Sequence, residues 1–400
     1  MKKKLTKLLS LAVAGVLTLG MLTGCGSDAG KADSASTQKG DSVQSDDTKD
    51  EGETVKIGVL VNDVSGEEAL GFRSYYENYI ASNYNVEFSY TDALESAEDE
   101  KAAIEKFAAQ GYKAVISLAS NDRAMQIETC EGLDVYYAVA SGVLDDSQYE
   151  TYKGYEYFLG QVGPSTQTEF EAGQQMASYY KEQGKTKVAL YGAFIPNPMH
   201  VYRTAGVIAG LGDTYGGASD IEGIAGQLFA DQGVDLTKVA GDVEIVAYLQ
   251  GYGDTTTDEV NAAIQKEPEV FLSVGMATTF FTQTFNEAGI EFSDIDSFTE
   301  LNGASIKDGK LTYLAGKYSS SIGPVFALVM NAVNGNVIRD ADGNAVSLNQ
   351  KYQVATDAES FDTYYVTDKG DTPIYDKATL DGIIGSDVTY DEVKTLVESK

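Results

Sequence analysis

From Val55 to about residue 290, short apolar runs alternate with amphipathic stretches, and nothing else in the chain constrains its fold as much. Strands are expected at 55–61, 86–90, 114–118 and 135–140. Between them the spacing predicts helices over 71–82, with Phe72, Tyr75, Tyr79 and Ile80 on one face, then over 96–110 and 122–130. Ala97, Ile104, Phe107 and Ala108 face inward on the second of these, which Gly111 stops. A second series follows, with helices at 168–182, 201–211, 257–266 and 278–288 and strands at 188–191, 243–249 and 270–274. Repeated β–α–β units with short loops build mostly parallel sheets covered by helices on both faces. The length allows two such α/β lobes of similar size. From Asp340 to Lys400 the pattern is less regular, with short helices expected at 375–384 and 390–398.

Ahead of this body lies a leader. Lys2, Lys3, Lys4 and Lys7 precede an apolar run over 8–22, which is too short for a membrane span and has the form of a secretory signal. It closes on Leu22-Thr23-Gly24-Cys25, which resembles the lipobox of bacterial lipoproteins. That resemblance implies cleavage after residue 24 and lipidation of Cys25; the alternative is an ordinary signal peptide with a chance cysteine. Residues 26–53 are almost all small or polar and cannot offset the entropy of ordering, so they read as a flexible tether.

Composition excludes several function classes. Loss of residues 1–24, with their four lysines, takes the formal net charge from −32 to −36, which opposes binding to nucleic acid or to an anionic lipid surface. Cys25 and Cys130 are the only cysteines, so lipidation of the first leaves no disulfide to staple an exported fold. His200 is the single histidine, which rules out a histidine-rich metal site. No P-loop or strand–GxGxxG–helix fingerprint occurs, and Gly251-Tyr252-Gly253 reads as a turn. Asp340-Ala341-Asp342-Gly343-Asn344 looks like part of a calcium loop, but Lys351 stands at the twelfth position where a Glu is needed, and a turn is the better reading. His200 follows Pro196-Asn197-Pro198-Met199 between a strand and a helix, where open α/β sheets meet ligands. It could act in catalysis, line a pocket or lie on plain loop surface; no matched Ser or Cys nucleophile stands out. The 26 tyrosines offer flat faces with a hydroxyl, suited to a polar ring, though most serve ordinary packing.

Several stretches together resemble the type I periplasmic substrate-binding proteins of bacterial ABC transporters, especially their sugar-binding group. They are Lys56-Ile57-Gly58-Val59-Leu60; Val162-Gly163-Pro164 with Glu169, Ala172-Gly173 and Met176-Ala177; Met199 to Leu211 with Arg203 and Gly206; and Gly309-Lys310-Leu311 with Ile322-Gly323 and Ala327 to Gly335. The resemblance covers about residues 55–355. It implies a two-lobed type I periplasmic-binding-protein fold, in which a multi-strand hinge joins two mostly parallel sheets flanked by helices. The first lobe would be 55–162 plus about 318–345, and the second 163–317 plus about 346–400.

What the resemblance implies about the site is carried by single residues. Asn62 falls near a first-loop asparagine that bonds sugar, Arg203 matches a sugar-gripping arginine, Asn302 stands where relatives place an aspartate, and Lys317 lies near a crossover glutamine. The chain also departs from the pattern. The first loop lacks paired aromatics, for which Phe72 can stand in. Ser141-Gly142 replaces an Asp-Arg pair, and Gly275-Met276 an Asn-Asp pair. The expected ligand-binding set is therefore Asn62, Phe72, Ser141, His200, Arg203, Met276, Asn302 and Lys317. The implied activity is capture of a small polar solute, a sugar or sugar-like molecule, by hinge closure, followed by presentation to a membrane permease. A nucleoside carrier, a sensor lipoprotein and a secreted enzyme are the alternatives. A lipid-anchored monomer outside the cell membrane is expected, with no cofactor, metal or nucleic-acid partner.

Overall fold

The computed structural model describes residues 53–253 and 255–400. The leader, Cys25 and the tether up to residue 52 lie outside the described residues. Two six-stranded sheets form the body. The chain lays down β1 (Val55–Leu60), β2 (Val86–Tyr90), β3 (Ala114–Ser117), β4 (Tyr136–Ala140) and β5 (Phe158–Gly163), then crosses to β6 (Lys187–Tyr191). A short ribbon of β7 (Thr214–Tyr215) and β8 (Val239–Ala240) precedes β9 (Glu244–Leu249), β10 (Val270–Ser273), β11 (Phe292–Ser297) and β12 (Leu311–Lys317). The last strands are β13 (Val346–Asn349) and β14 (Gln353–Ala355).

The first sheet runs β13-β5-β4-β3-β1-β2 and is parallel throughout. The second runs β14-β12-β11-β10-β6-β9 and is parallel except for β14, which pairs antiparallel with β12. Strands such as VFLS in β10 and AVIS in β3 are buried at every position, as parallel strands under helices on both faces must be. This is the two-lobed α/β architecture expected from the sequence.

The tail divides differently from the expected boundary at 345/346. β13 pairs with β5 in the first sheet, and only β14 and helix Ala358–Lys369 join the second lobe. The chain then returns, and Tyr375, Leu380, Ile383, Val393 and Val397 pack into the first lobe's core with helix Gly323–Val333. The cause is amphipathic: helix Tyr390–Ser399 carries one apolar stripe and needs a sheet to cover it. The expected helix over 71–82 is part of one helical segment, Glu67–Ser74 continuing through a π turn at Tyr75–Ile80 and ending at Asn83. The strands at β5, β11 and β12 and the helix Ile221–Asp231 were not expected from periodicity. No helix among the described residues is long and apolar enough to cross a membrane.

Candidate functional site

In parallel sheets the carboxyl ends of the strands and the loops that follow them are where ligands meet the fold. Here those ends face each other across the two lobes, and the second lobe's side is built on a helix pair. Asn197 caps helix Pro198–Gly210 by accepting from the Met199 amide, with Pro198 in the first turn. Helix Thr166–Glu182 crosses it so closely that a Cβ on Gly173 would lie 2.0 Å from the Arg203 carbonyl oxygen, and one on Gly206 1.9 Å from that of Phe170. That approach sets Arg203 beside Glu169.

Arg203 is only 3% exposed, and all three nitrogens of its guanidinium donate to protein acceptors. Nε donates to Glu169 at 2.6 Å, one terminal nitrogen to the carbonyls of Val274 (2.8 Å) and Ile295 (3.3 Å), and the other to the Tyr352 hydroxyl at 2.5 Å. The Tyr352 hydroxyl in turn donates to Glu169 at 3.0 Å. Burial opposes the charge, but the Glu169 carboxylate outweighs it and holds the guanidinium protonated. The arginine expected to grip solute therefore serves as a brace beneath the strand ends, tying β10, β11 and the β13–β14 link to the helix pair. His200, one turn earlier, is buried and accepts from the Phe194 amide through Nδ1 at 3.1 Å. Burial, then the neighbouring Arg203 charge, pushes its pKa down to about 3, so the imidazole is neutral.

Above this brace, side chains from both lobes meet. Glu68, on helix Glu67–Ser74 of the first lobe, accepts at Oε1 from Ser297 at 2.5 Å and from Lys317 at 3.0 Å. Lys317, at the end of β12, also donates to Ser141 at 3.1 Å, after β4 in the first lobe. At the rim, Glu67 accepts from the Leu301 amide at 3.3 Å. Asn302 is buried, and its Nδ2 donates to the Ser297 carbonyl at 2.7 Å and reaches Asp296 at 3.5 Å, while its buried Oδ1 has no partner. Burial would raise the Glu68 pKa, but the Lys317 ammonium and the Ser297 hydroxyl bring it below the ordinary value. The opposite holds for Asp296, which burial and the charges of Asp294 and Glu68 push up to about 8. Asp294, fully buried, is raised to about 6 by burial against four hydrogen bonds from Ser273, Thr278 and Ile295.

The remaining candidates stand apart from this cluster. Asn62 pins first-lobe loops, donating to the Leu94 carbonyl at 2.6 Å and accepting from the Ser120 amide at 2.7 Å. Met276 is half-buried in left-handed backbone (φ 66°) at the start of helix Ala277–Ala288. Phe72, expected to stand in for a cleft aromatic, is 4% exposed in the first lobe's core, because its position on the helix faces the sheet. The exposed aromatics lie elsewhere. Tyr252 (55% exposed) stacks on Phe280 with ring centroids 4.2 Å apart, and Phe194 meets Phe280 edge-on at 6.1 Å and lies 6.1 Å from His200. All three follow carboxyl ends of second-lobe strands. Periodicity missed them, along with Glu68, Asp296, Ser297 and Tyr352. A large aromatic held between Gly251 and Gly253 was the available signal, since a turn needs no exposed ring.

Asp340–Asn344 closes a turn in which Asp340 Oδ1 accepts from the amides of Asp342 (3.0 Å) and Asn344 (2.8 Å). Among the described residues no group of three or more His, Cys, Asp or Glu side chains is placed to hold a metal ion.

No protein-family model and no characterised protein matches the sequence, whereas the fold has many likenesses. An ABC transporter solute-binding protein from Bacillus halodurans, solved with myo-inositol, is 15% identical with a TM-score of 0.57, covering 78% of this chain and 98% of its own. A periplasmic solute-binding protein from Actinobacillus succinogenes, solved with D-allose, is 17% identical with a TM-score of 0.57, covering 78% and 100%. The transcription regulator CcpA of Lactococcus lactis shares the fold as well, at 12% identity and a TM-score of 0.54, covering 76% and 98%. These likenesses establish the two-lobed fold.

Proposed function

We propose that this chain is the extracytoplasmic solute-binding component of a bacterial ABC importer, held to the membrane through Cys25 and capturing a small polar ring-shaped solute between its lobes. One observation carries the reading: polar side chains of both lobes, Glu68 and Ser141 on one side and Ser297 on the other, converge with Lys317 at facing strand ends. An aromatic platform, with Tyr252 and Phe194 exposed and each against the half-buried Phe280, extends the second lobe's wall. Rings supply flat apolar contact and the polar cluster fixes orientation, which is the division of labour expected of a small-molecule site.

Capture follows from differential affinity. A solute touching both lobes binds the closed arrangement more tightly than the open one and shifts the population toward it, giving a permease one surface to recognise. The comparison proteins solved with myo-inositol and D-allose make a polyol or sugar the first class to test, with nucleosides next. Native mass spectrometry of the purified chain, then thermal shift against sugars, inositols and nucleosides, tests this directly. A bound solute raises the melting temperature in proportion to the logarithm of its concentration above Kd. No shift by any member, with no retained mass, rejects the reading.

A further inference from the structure

Counting ion pairs at the strand ends leaves two carboxyls without a cation partner, Asp294 and Asp296. Arg203 is matched by Glu169, and Lys317 by Glu68. Arg123, in the first lobe, faces the buried Glu100. Asp294 is compensated by its four hydrogen bonds, and His200 is neutral. Asp296 makes no ion pair among the described residues: its Oδ1 accepts from the Ser297 amide at 2.9 Å, and its Oδ2 has only the long 3.5 Å contact from Asn302. A second, independent feature adjoins it. Asn302 is 1% exposed, and its Oδ1 is a buried acceptor without a donor. Leaving such an acceptor unmet is unfavourable, so a donor is called for there.

Resting on the solute-binding reading above, we propose that the solute is an amine-bearing polyol, its single protonated amine received by Asp296 with Glu68 and the Asn302 Oδ1 as neighbouring acceptors. An ammonium has three donors and no acceptor, which suits a cluster of oxygens short of protons. Burial first, then the charges of Asp294 and Glu68, outweigh the Ser297 amide and Lys317, so Asp296 holds a proton at neutral pH. An arriving ammonium takes that proton's place, and the proton leaves to buffer. Glu67 and Glu300 at the rim add negative potential that favours approach of a cation.

The test is calorimetric titration of the full chain with matched sets: D-glucose, D-glucosamine and N-acetyl-D-glucosamine, and the galactose equivalents. The amine is expected to bind about tenfold more tightly than either uncharged member of its set. It should also show a binding enthalpy that varies with the buffer's ionisation enthalpy. D296N is expected to reduce the preference to less than about threefold. Equal binding of the neutral or acetylated sugar overturns the amine and leaves solute capture standing, as does a preference that survives D296N. No binding by any member overturns the amine, while the retained mass and the wider thermal-shift panel decide solute capture itself.

Discussion

The two lobes share one topology and finish their strand ends in different ways. In the first lobe the loops are tied by side chains that bond backbone: Asn62 links the loops after β1, β2 and β3, and buried Glu100 accepts from the amides of Asn121 and Asp122. In the second lobe a buried ion pair, Arg203–Glu169, with Tyr352 alongside, holds the strand ends from beneath. Tyr252 and Phe194 lie exposed in the same lobe, each against Phe280. Equivalent places in one fold thus carry unlike chemistry. One wall is shaped by side chains tied to loop backbone, and the other rests on a buried ion pair with exposed rings beside it.

That contrast can be broken experimentally, beginning with the floor. Arg203→Ala leaves Glu169 buried without its cation and should cost about 3–5 kcal/mol of stability in denaturant unfolding, whereas Asn62→Ala in the first lobe should cost about 1 kcal/mol. Equal losses would erase the distinction. Gly206→Ala drives a Cβ to within 1.9 Å of the Phe170 carbonyl oxygen, and about 1–3 kcal/mol of strain is expected, read as a lowered melting temperature.

The floor also titrates. His200 has its pKa depressed from 6.5 to about 3, so the unfolded chain binds a proton that the folded one refuses, and its contribution to stability is lost as pH falls from 6.5 toward 3. Asp296 is raised from 3.8 to about 8, so the folded chain holds a proton that the unfolded one releases, and stability is lost as pH rises across that window. Asp296→Asn should therefore gain stability over the parent progressively toward pH 8, as melting temperatures across pH would show. The smallest effect is expected at the exposed ring. Tyr252→Ala should change stability by less than about 0.5 kcal/mol while weakening solute binding.

Periodicity revealed the strands with dense apolar runs, such as β3 and β10, and the helices with a clear inward face, such as Ala97–Ala109. It missed β11, FSDIDS, because Asp294, buried, and Asp296, half-buried, interrupt the run and disguise the strand. The tail was misdivided because β13 and β14 are four and three residues long, too short to display a period or to say which sheet they join. For the site, resemblance located Arg203, Lys317 and Ser141 as residues near facing strand ends. It did not disclose that Arg203 is spent on Glu169, because a partner 34 positions away on another helix leaves no local trace. Glu68 was hidden for the same reason: its partners, Ser297 and Lys317, belong to the other lobe and the hinge.

Solute held between the lobes is tested most directly by titrating one bound polyol or sugar into the parent and two single variants, Glu68→Gln from the first lobe and Tyr252→Ala from the second. The expected result is one solute per chain, with affinity reduced about tenfold or more by each change. Full affinity in either variant would contradict capture between these two walls.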